Sequence, residues 1–193
     1  MRVGCEDSIW RGDGWDDLSA VRYKDRAIWV LSQCPLGGQM DREDMLKEFT
    51  RHRDAEKRRD YDAIVETFVE DCYIETVALD LRSDGREATR TAYVAYFTAF
   101  PDLDSDYHGF AAGDDVLVGW GVLRGRSGGQ WLGVAPTGGS FAVRFTNVAT
   151  FRDGQMAGES IYFDVATLCE QAGFSVDEVR AAAKGRTAGQ RRV

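Results

Sequence analysis

Between Trp131 and Asp164 the chain reads WLGVAPTGGSFAVRFTNVATFRDGQMAGESIYFD, and no other run constrains the fold as strongly. A glycine-rich turn over Gly133–Gly139 opens it. Two strand-length segments follow, joined by the tight-turn tripeptide Arg152-Asp153-Gly154. From Phe141 to Phe151 every second residue is apolar except Asn147, the alternation of a strand with one face buried. Strands this long need partners, so the C-terminal half is built around a sheet. The second segment ends on Asp164, set among Tyr162, Phe163 and Val165. A carboxylate in such company is either a structural cap or a group held for proton transfer.

Upstream, the period changes. From Asp41, Met45, Phe49 and His52 recur at helical spacing, and Tyr61, Ile64, Val65, Phe68 and Val69 mark a second amphipathic piece. Cys72 to Leu79 alternates as a strand. Residues 86–99 read as a helix with Tyr93, Tyr96, Phe97 and Phe100 as its stripe, stopped by Pro101. Strands are then expected over 105–112, 114–124, 140–151 and 155–164, and a closing helix over Ala166–Ala172 before Gly173. Helices followed by antiparallel strands make an α+β protein. Gly119, Gly121 and Gly139 permit bending. The expected architecture is therefore a cone-shaped, curved antiparallel sheet wrapped around the N-terminal helices, with an apolar pocket inside. The cone spans 41–174. Residues 1–40, without a sustained period, read as an irregular arm or as an extension ahead of a start at Met40, and 175–193 as a tail that frays.

Acids outnumber bases 32 to 24, which speaks against a nucleic-acid partner, because phosphate binding needs concentrated positive charge. Cys5, Cys34, Cys72 and Cys169 form no C-x-x-C pair and lie far from His52 and His108, so no zinc site is expected. The longest early apolar run, Ala27–Leu31, is too short to span a membrane. Reduced thiols and a cytoplasmic protein are the expectation.

Several motifs in order carry a resemblance: Phe100-Pro101-Asp102-Leu103, Gly113-Asp114-Asp115-Val116, Leu132 to Gly138, Phe151 to Gly154, Asp164, and Leu168 to Gly173. Together they resemble the SnoaL-like polyketide cyclases, within the superfamily of nuclear transport factor two and ketosteroid isomerase. The resemblance implies an aspartate acid–base at Asp164. It also shows departures: Ser127 and Gln130 stand where the family often has His and an acid, Gly139 where it often has Arg, Gly158 where it has an acid and Ser160 where it has an aromatic.

Asp164 and Asn147 are the catalytic candidates. Taken by strand parity, Met156, Ser160, Tyr162 and Asp164 share a face, and Asn147 lies in the apolar row of the preceding strand. Asn147 either donates to an oxyanion or bonds the backbone across a bulge. Trp120, Trp131, Tyr162 and Tyr96 are candidate pocket walls. Glu75 is a second carboxylate or a surface residue, and His108 an acid–base partner or a structural histidine. The function expected is a small cyclase acting without cofactor or metal on a hydrophobic polyketide-like carbonyl compound, closing a ring by aldol chemistry in secondary metabolism, as a homodimer. The alternatives are an isomerase, dehydratase or epoxide hydrolase, or a non-catalytic binding or dimerisation module. For an epoxide opener the inner row reads as too apolar.

Overall fold

The computed structural model describes residues 18–23, 26–31 and 40–190, with side chains from 40 to 186. Strands β1 (Leu18–Tyr23) and β2 (Arg26–Leu31) form an antiparallel hairpin in the segment that was expected to be irregular. Helix α1 (Arg42–Arg58) starts where Asp41 accepts from the Asp44 backbone N–H at 2.9 Å. Helix α2 (Tyr61–Glu66) is capped by Asp60 in the same way. Strand β3 (Phe68–Thr76) takes Phe68 and Val69 out of the expected second helix: the two consecutive residues are both buried at the start of the strand, and Phe68 pairs with Met156. Strand β4 (Leu81–Asp84), helix α3 (Arg86–Ala99), strands β5 (Asp104–Ala112), β6 (Val116–Arg126), β7 (Ser140–Arg152) and β8 (Gln155–Phe163), and helices α4 (Val165–Ala172) and α5 (Val176–Gln190) follow. The tail is thus helical over most of its length. No helix among the described residues is long and apolar enough to cross a membrane.

The six-stranded sheet has the order β4-β3-β8-β7-β6-β5. It is mixed rather than wholly antiparallel. β4 occupies one edge of β3 as a short hairpin partner, so β3 meets β8 along its other edge, and the two run parallel. The β3–β8 ladder shifts register between Phe68 and Tyr73, and two bulges in the antiparallel ladders further shape the sheet. On β5, Tyr107 faces Gly121 while Gly109 faces Trp120, so His108 is the extra residue. On β8, Gly158 faces Thr150 while Met156 faces Phe151, so Ala157 is the extra residue. A bulge reverses side-chain parity on either side of itself. Gly119 makes room on the concave face, where a Cβ would lie 2.6 Å from the Tyr107 ring and 2.8 Å from that of Phe110.

Two apolar clusters fill the concave side. One gathers Met45 and Phe49 of α1, Phe68 and Cys72 of β3, and Phe110, Phe151 and Met156 of the sheet. The other gathers Phe100, Trp131, Phe141 and Phe145 with Leu168 and Cys169 of α4 and Val179 of α5. A cavity lies where they meet, lined by residues of both.

Candidate active site

The cavity is apolar at one end and charged at the other. Phe97, Phe100, Leu123, Trp131, Phe141 and Phe163 line the apolar part, and Arg53, Glu56, Tyr93, Tyr107, Asn147 and Glu159 the polar part. Its volume is only about 60 Å³, room for a few waters. Each polar group comes from a different strand or a helix facing them. α1 supplies the neighbours His52 and Arg53 and, one turn on, Glu56; α3 supplies Tyr93, and Tyr107, Asn147 and Glu159 project from the concave faces of β5, β7 and β8.

Glu159 is the pivot of this end, 2% exposed. Its Oε2 accepts from the Tyr93 hydroxyl at 2.5 Å, and its Oε1 accepts from Asn147 Nδ2. Asn147 Nδ2 also donates to the Tyr107 hydroxyl oxygen at 3.0 Å. The Tyr107 proton then has no acceptor among the described residues and is free to be given to an occupant of the cavity. Asn147 Oδ1 is buried without a partner. An unsatisfied buried carbonyl is costly, and a ligand or water donor would relieve it.

Behind Glu159 lies His52, fully buried. The Thr67 hydroxyl spends its proton on the Ile64 carbonyl at 2.6 Å, so it accepts from His52 Nδ1–H at 2.8 Å. The other ring nitrogen, Nε2, therefore faces the Tyr93 oxygen at 3.0 Å, Glu56 Oε1 at 3.5 Å and Glu159 Oε2 at 3.9 Å. Burial works against the imidazolium, but the hydrogen bond and charge of Glu56 and the charge of Glu159 outweigh it and raise the His52 pKa. The two carboxyls are pushed apart. Burial, reinforced by the nearby Glu56 charge, raises Glu159 despite the opposing charge of His52. Burial acts on Glu56 too, but the Arg53 guanidinium, bonded to it directly, and His52 hold it down to about 2. Carboxyls separated in this way divide into a permanent charge and a proton-handling group. His52, Glu56 and Glu159 also bring their ligand atoms within 4.8 Å of one another, a spacing a cation could bridge. Those atoms are engaged by Arg53, Tyr93 and Asn147, and a guanidinium on Glu56 repels a second cation, so the cluster fits proton handling better than a metal.

The candidates read from the sequence separate cleanly. Asn147, Trp131 and Tyr96 line the cavity. Asp164, Trp120, Tyr162 and His108 are brought together as well, but around a shallow hollow on the convex face of the sheet. Asp164 is exposed and caps α4: it accepts from the Ala166 and Thr167 N–H groups at 2.9 and 3.2 Å and from the Thr167 hydroxyl at 2.6 Å. These bonds, the Thr167 hydroxyl's first, lower its pKa, the direction of a cap rather than of a proton-transfer group. Trp120 and Tyr162 are 43% and 45% exposed. His108 is exposed and 3.7 Å from Asp106. Glu75 is half-buried outside the cavity, accepting from Ser160 at 2.9 Å.

The bulges explain the misplacements. Parity carried from buried Met156 assigns Ser160, Tyr162 and Asp164 to the inside, yet the extra residue Ala157 flips the strand, so Glu159, Ile161 and Phe163 point inward. The bulge at His108 does the same for Tyr107. The acid sought at Gly158 is thus at Glu159, one residue on. At Gly158 a side chain would run into the Tyr73 ring instead. Ser127, 1% exposed, is structural, accepting from the Thr137 N–H at 3.0 Å and pinning the glycine-rich turn. The inner row is not uniformly apolar, which removes the objection to chemistry that uses a held water.

Comparison with known proteins agrees with this fold. The family model of SnoaL-like polyketide cyclases matches residues 47–172. No curated protein matches the sequence. Among solved structures, a candidate SnoaL-like polyketide cyclase from Jannaschia sp. CCS1 is 19% identical, with a TM-score of 0.63 over 73% of this chain and 97% of that one. IdmH, a candidate polyketide cyclase from Streptomyces antibioticus, is 23% identical, with a TM-score of 0.55 over 66% and 97%. AclR, a candidate hydroxylase from Streptomyces galilaeus, is 18% identical, with a TM-score of 0.59 over 69% and 98%. At such identities these likenesses establish the fold, and the site must argue the chemistry.

Proposed function

The chain belongs to the SnoaL-like polyketide cyclase family, and from that premise we propose that it is a cofactor-independent acid–base enzyme that enolises a carbonyl compound and closes a ring by aldol addition, with Glu159 as the base. The observation that carries this reading is the divided carboxylate pair, with Glu159 raised and facing the cavity beside the permanently ionised Glu56. Glu159 takes the proton from the carbon next to the carbonyl. The C–H electrons move into the carbon–carbon double bond, and the oxygen takes up negative charge beside the Tyr107 O–H and the Arg53 guanidinium. The enolate carbon then bonds to a second carbonyl carbon of the same molecule, and the new alkoxide receives the proton from Glu159. The aromatic walls bring the two carbonyls together. The charge of His52 and the Tyr93 hydrogen bond favour the ionised form of Glu159 against its burial.

Enolisation can be tested without knowing the substrate, by following deuterium exchange next to the carbonyl of phenylacetone in heavy water by NMR. The wild-type protein is expected to accelerate it. Asp164→Asn is expected to leave the exchange rate within about twofold, because asparagine also caps helices and position 164 lies outside the cavity. A collapse of exchange in that variant would return the catalytic role to Asp164.

One observation favours a second reading. Tyr107, Asn147 and Glu159 converge as donor, open acceptor and base, which suits a held water opening an epoxide. Diol formation from styrene oxide without exchange in phenylacetone would select it.

The protein is further proposed to act as a homodimer through the convex sheet face. There Trp120, Thr146 and Tyr162 lie in one row across β6, β7 and β8, with both aromatics exposed. Light scattering is expected to give twice the 21.5 kDa chain mass, and a monomer in micromolar solution would overturn this.

A further inference from the structure

A second, larger hollow lies against one wall of the cavity. This groove, of about 590 Å³, runs between α3, β4 and the turn at Gln130–Leu132. Ile74, Thr76, Tyr96 and Trp131 line both spaces and form the partition. The Tyr96 hydroxyl is hydrogen-bonded to Thr76 Oγ1 within it. Both spaces therefore meet the same four residues from opposite sides.

The groove differs from the rest of the molecule in charge. The chain carries a net charge of −8, yet no carboxylate lines the groove among the described residues. Arg82 and Arg186 do, with Ser83, Thr91, Thr98 and Gln130 between. Arg82 is bonded to Asp84 through Nε at 2.8 Å and lies 3.8 Å from the centre of the Tyr73 ring, which holds its guanidinium in place. Arg186 stands exposed on α5.

From the partition shared by the two spaces, the small inner volume and this inversion of charge, we infer that the groove is a subsite for the tail of the ligand whose carbonyl-bearing head occupies the cavity, and that the tail ends in an oxyanion, a carboxylate or a phosphate ester. An arginine fork suits either group. The inference rests on the cavity being the ligand site, and not on which reaction occurs there.

Calorimetric titration with phenylhexanoate, phenylpentyl phosphate and methyl phenylhexanoate tests it. At low salt the two anions are expected to bind about fivefold tighter than the neutral ester, the gain of an exposed charge contact. That gap is expected to shrink with added salt and to close in Arg186→Gln and Arg82→Gln combined. Whichever anion binds more tightly identifies the tail. Equal affinity for the ester, or a gap that survives both substitutions, would overturn the inference. Titrating Glu159→Gln alongside separates the two claims. That variant is expected to keep the anion preference whatever its exchange activity, so failure of the base assignment leaves the subsite standing.

Discussion

Glu159→Gln is expected to lower the enolisation rate of phenylacetone by about 100- to 10,000-fold, the usual contribution of a positioned general base, while leaving the protein folded. The fold should survive because the amide can take over both of the carboxylate's bonds. Its oxygen can accept from the Tyr93 hydroxyl as Oε2 does now. Its NH₂ would face Asn147 Nδ2, donor against donor, but Asn147 can turn its amide over and accept through Oδ1, the atom that lacks a partner. Removing the Glu159 charge also removes one of the groups that raise the His52 pKa. The His52 pKa is therefore expected to fall, a change visible in the ring nitrogen shifts by NMR. A purely structural role for Glu159 would predict a loss of thermal stability in step with activity. Intact melting with lost exchange separates the two. Full exchange activity in this variant would remove Glu159 from the mechanism.

How much of this was legible in the sequence depended on whether the period held. The alternation from Phe141 to Phe151 is unbroken, and Asn147 lands on the inner face where parity put it. The α3 stripe of Tyr93, Tyr96 and Phe97 likewise faces the core and the cavity. Parity fails only where a bulge adds a residue. Nothing in the identities of His108 or Ala157 announces one, because a bulge is a property of the pairing of two strands and not of either strand alone. Parity alone therefore turns Glu159 and Tyr107, which lie beyond or just before such a point, to the wrong face. His52 reads as part of an apolar helical stripe, which agrees with its burial. Its chemistry becomes visible only when α1 is laid against β8, because its partners Thr67, Tyr93 and Glu159 lie 15, 41 and 107 residues away in sequence. Arg53 and Glu56 were hidden by the same logic. In a run as charged as Arg51–Arg59 a solvated helix face is the natural reading, and only the fold shows that this part of α1 turns inward.

That inward-facing ion pair carries the largest stability effect expected of a single substitution. Glu56 is 7% exposed and Arg53 8%. In the folded protein burial disfavours the Glu56 charge, but Arg53 and His52 more than offset it, so its pKa falls from 4.5 to about 2. A carboxyl with a depressed folded pKa stabilises the protein above its unfolded pKa, and that contribution is lost as pH falls toward the folded value. The wild-type protein is thus expected to lose about 3 kcal/mol between roughly pH 5 and pH 2 from this group. In Arg53→Met the sign reverses. Burial then dominates, the folded pKa of Glu56 rises, and its charge becomes a cost near neutral pH that protonation relieves. Arg53→Met is therefore expected to be about 3–5 kcal/mol less stable at about pH 7, the cost of removing one partner of a buried charge pair, and the deficit should narrow toward about pH 4. Urea denaturation followed by circular dichroism at the two pH values measures both effects. Should the single variant be largely unfolded, Arg53→Met combined with Glu56→Leu supplies the control, because removing both charges is expected to restore most of the loss. A deficit equal at both pH values, with no recovery in the double variant, would mean that Arg53 acts through its bond to the Ser105 carbonyl and its packing on Tyr107, and not through the charge it neutralises.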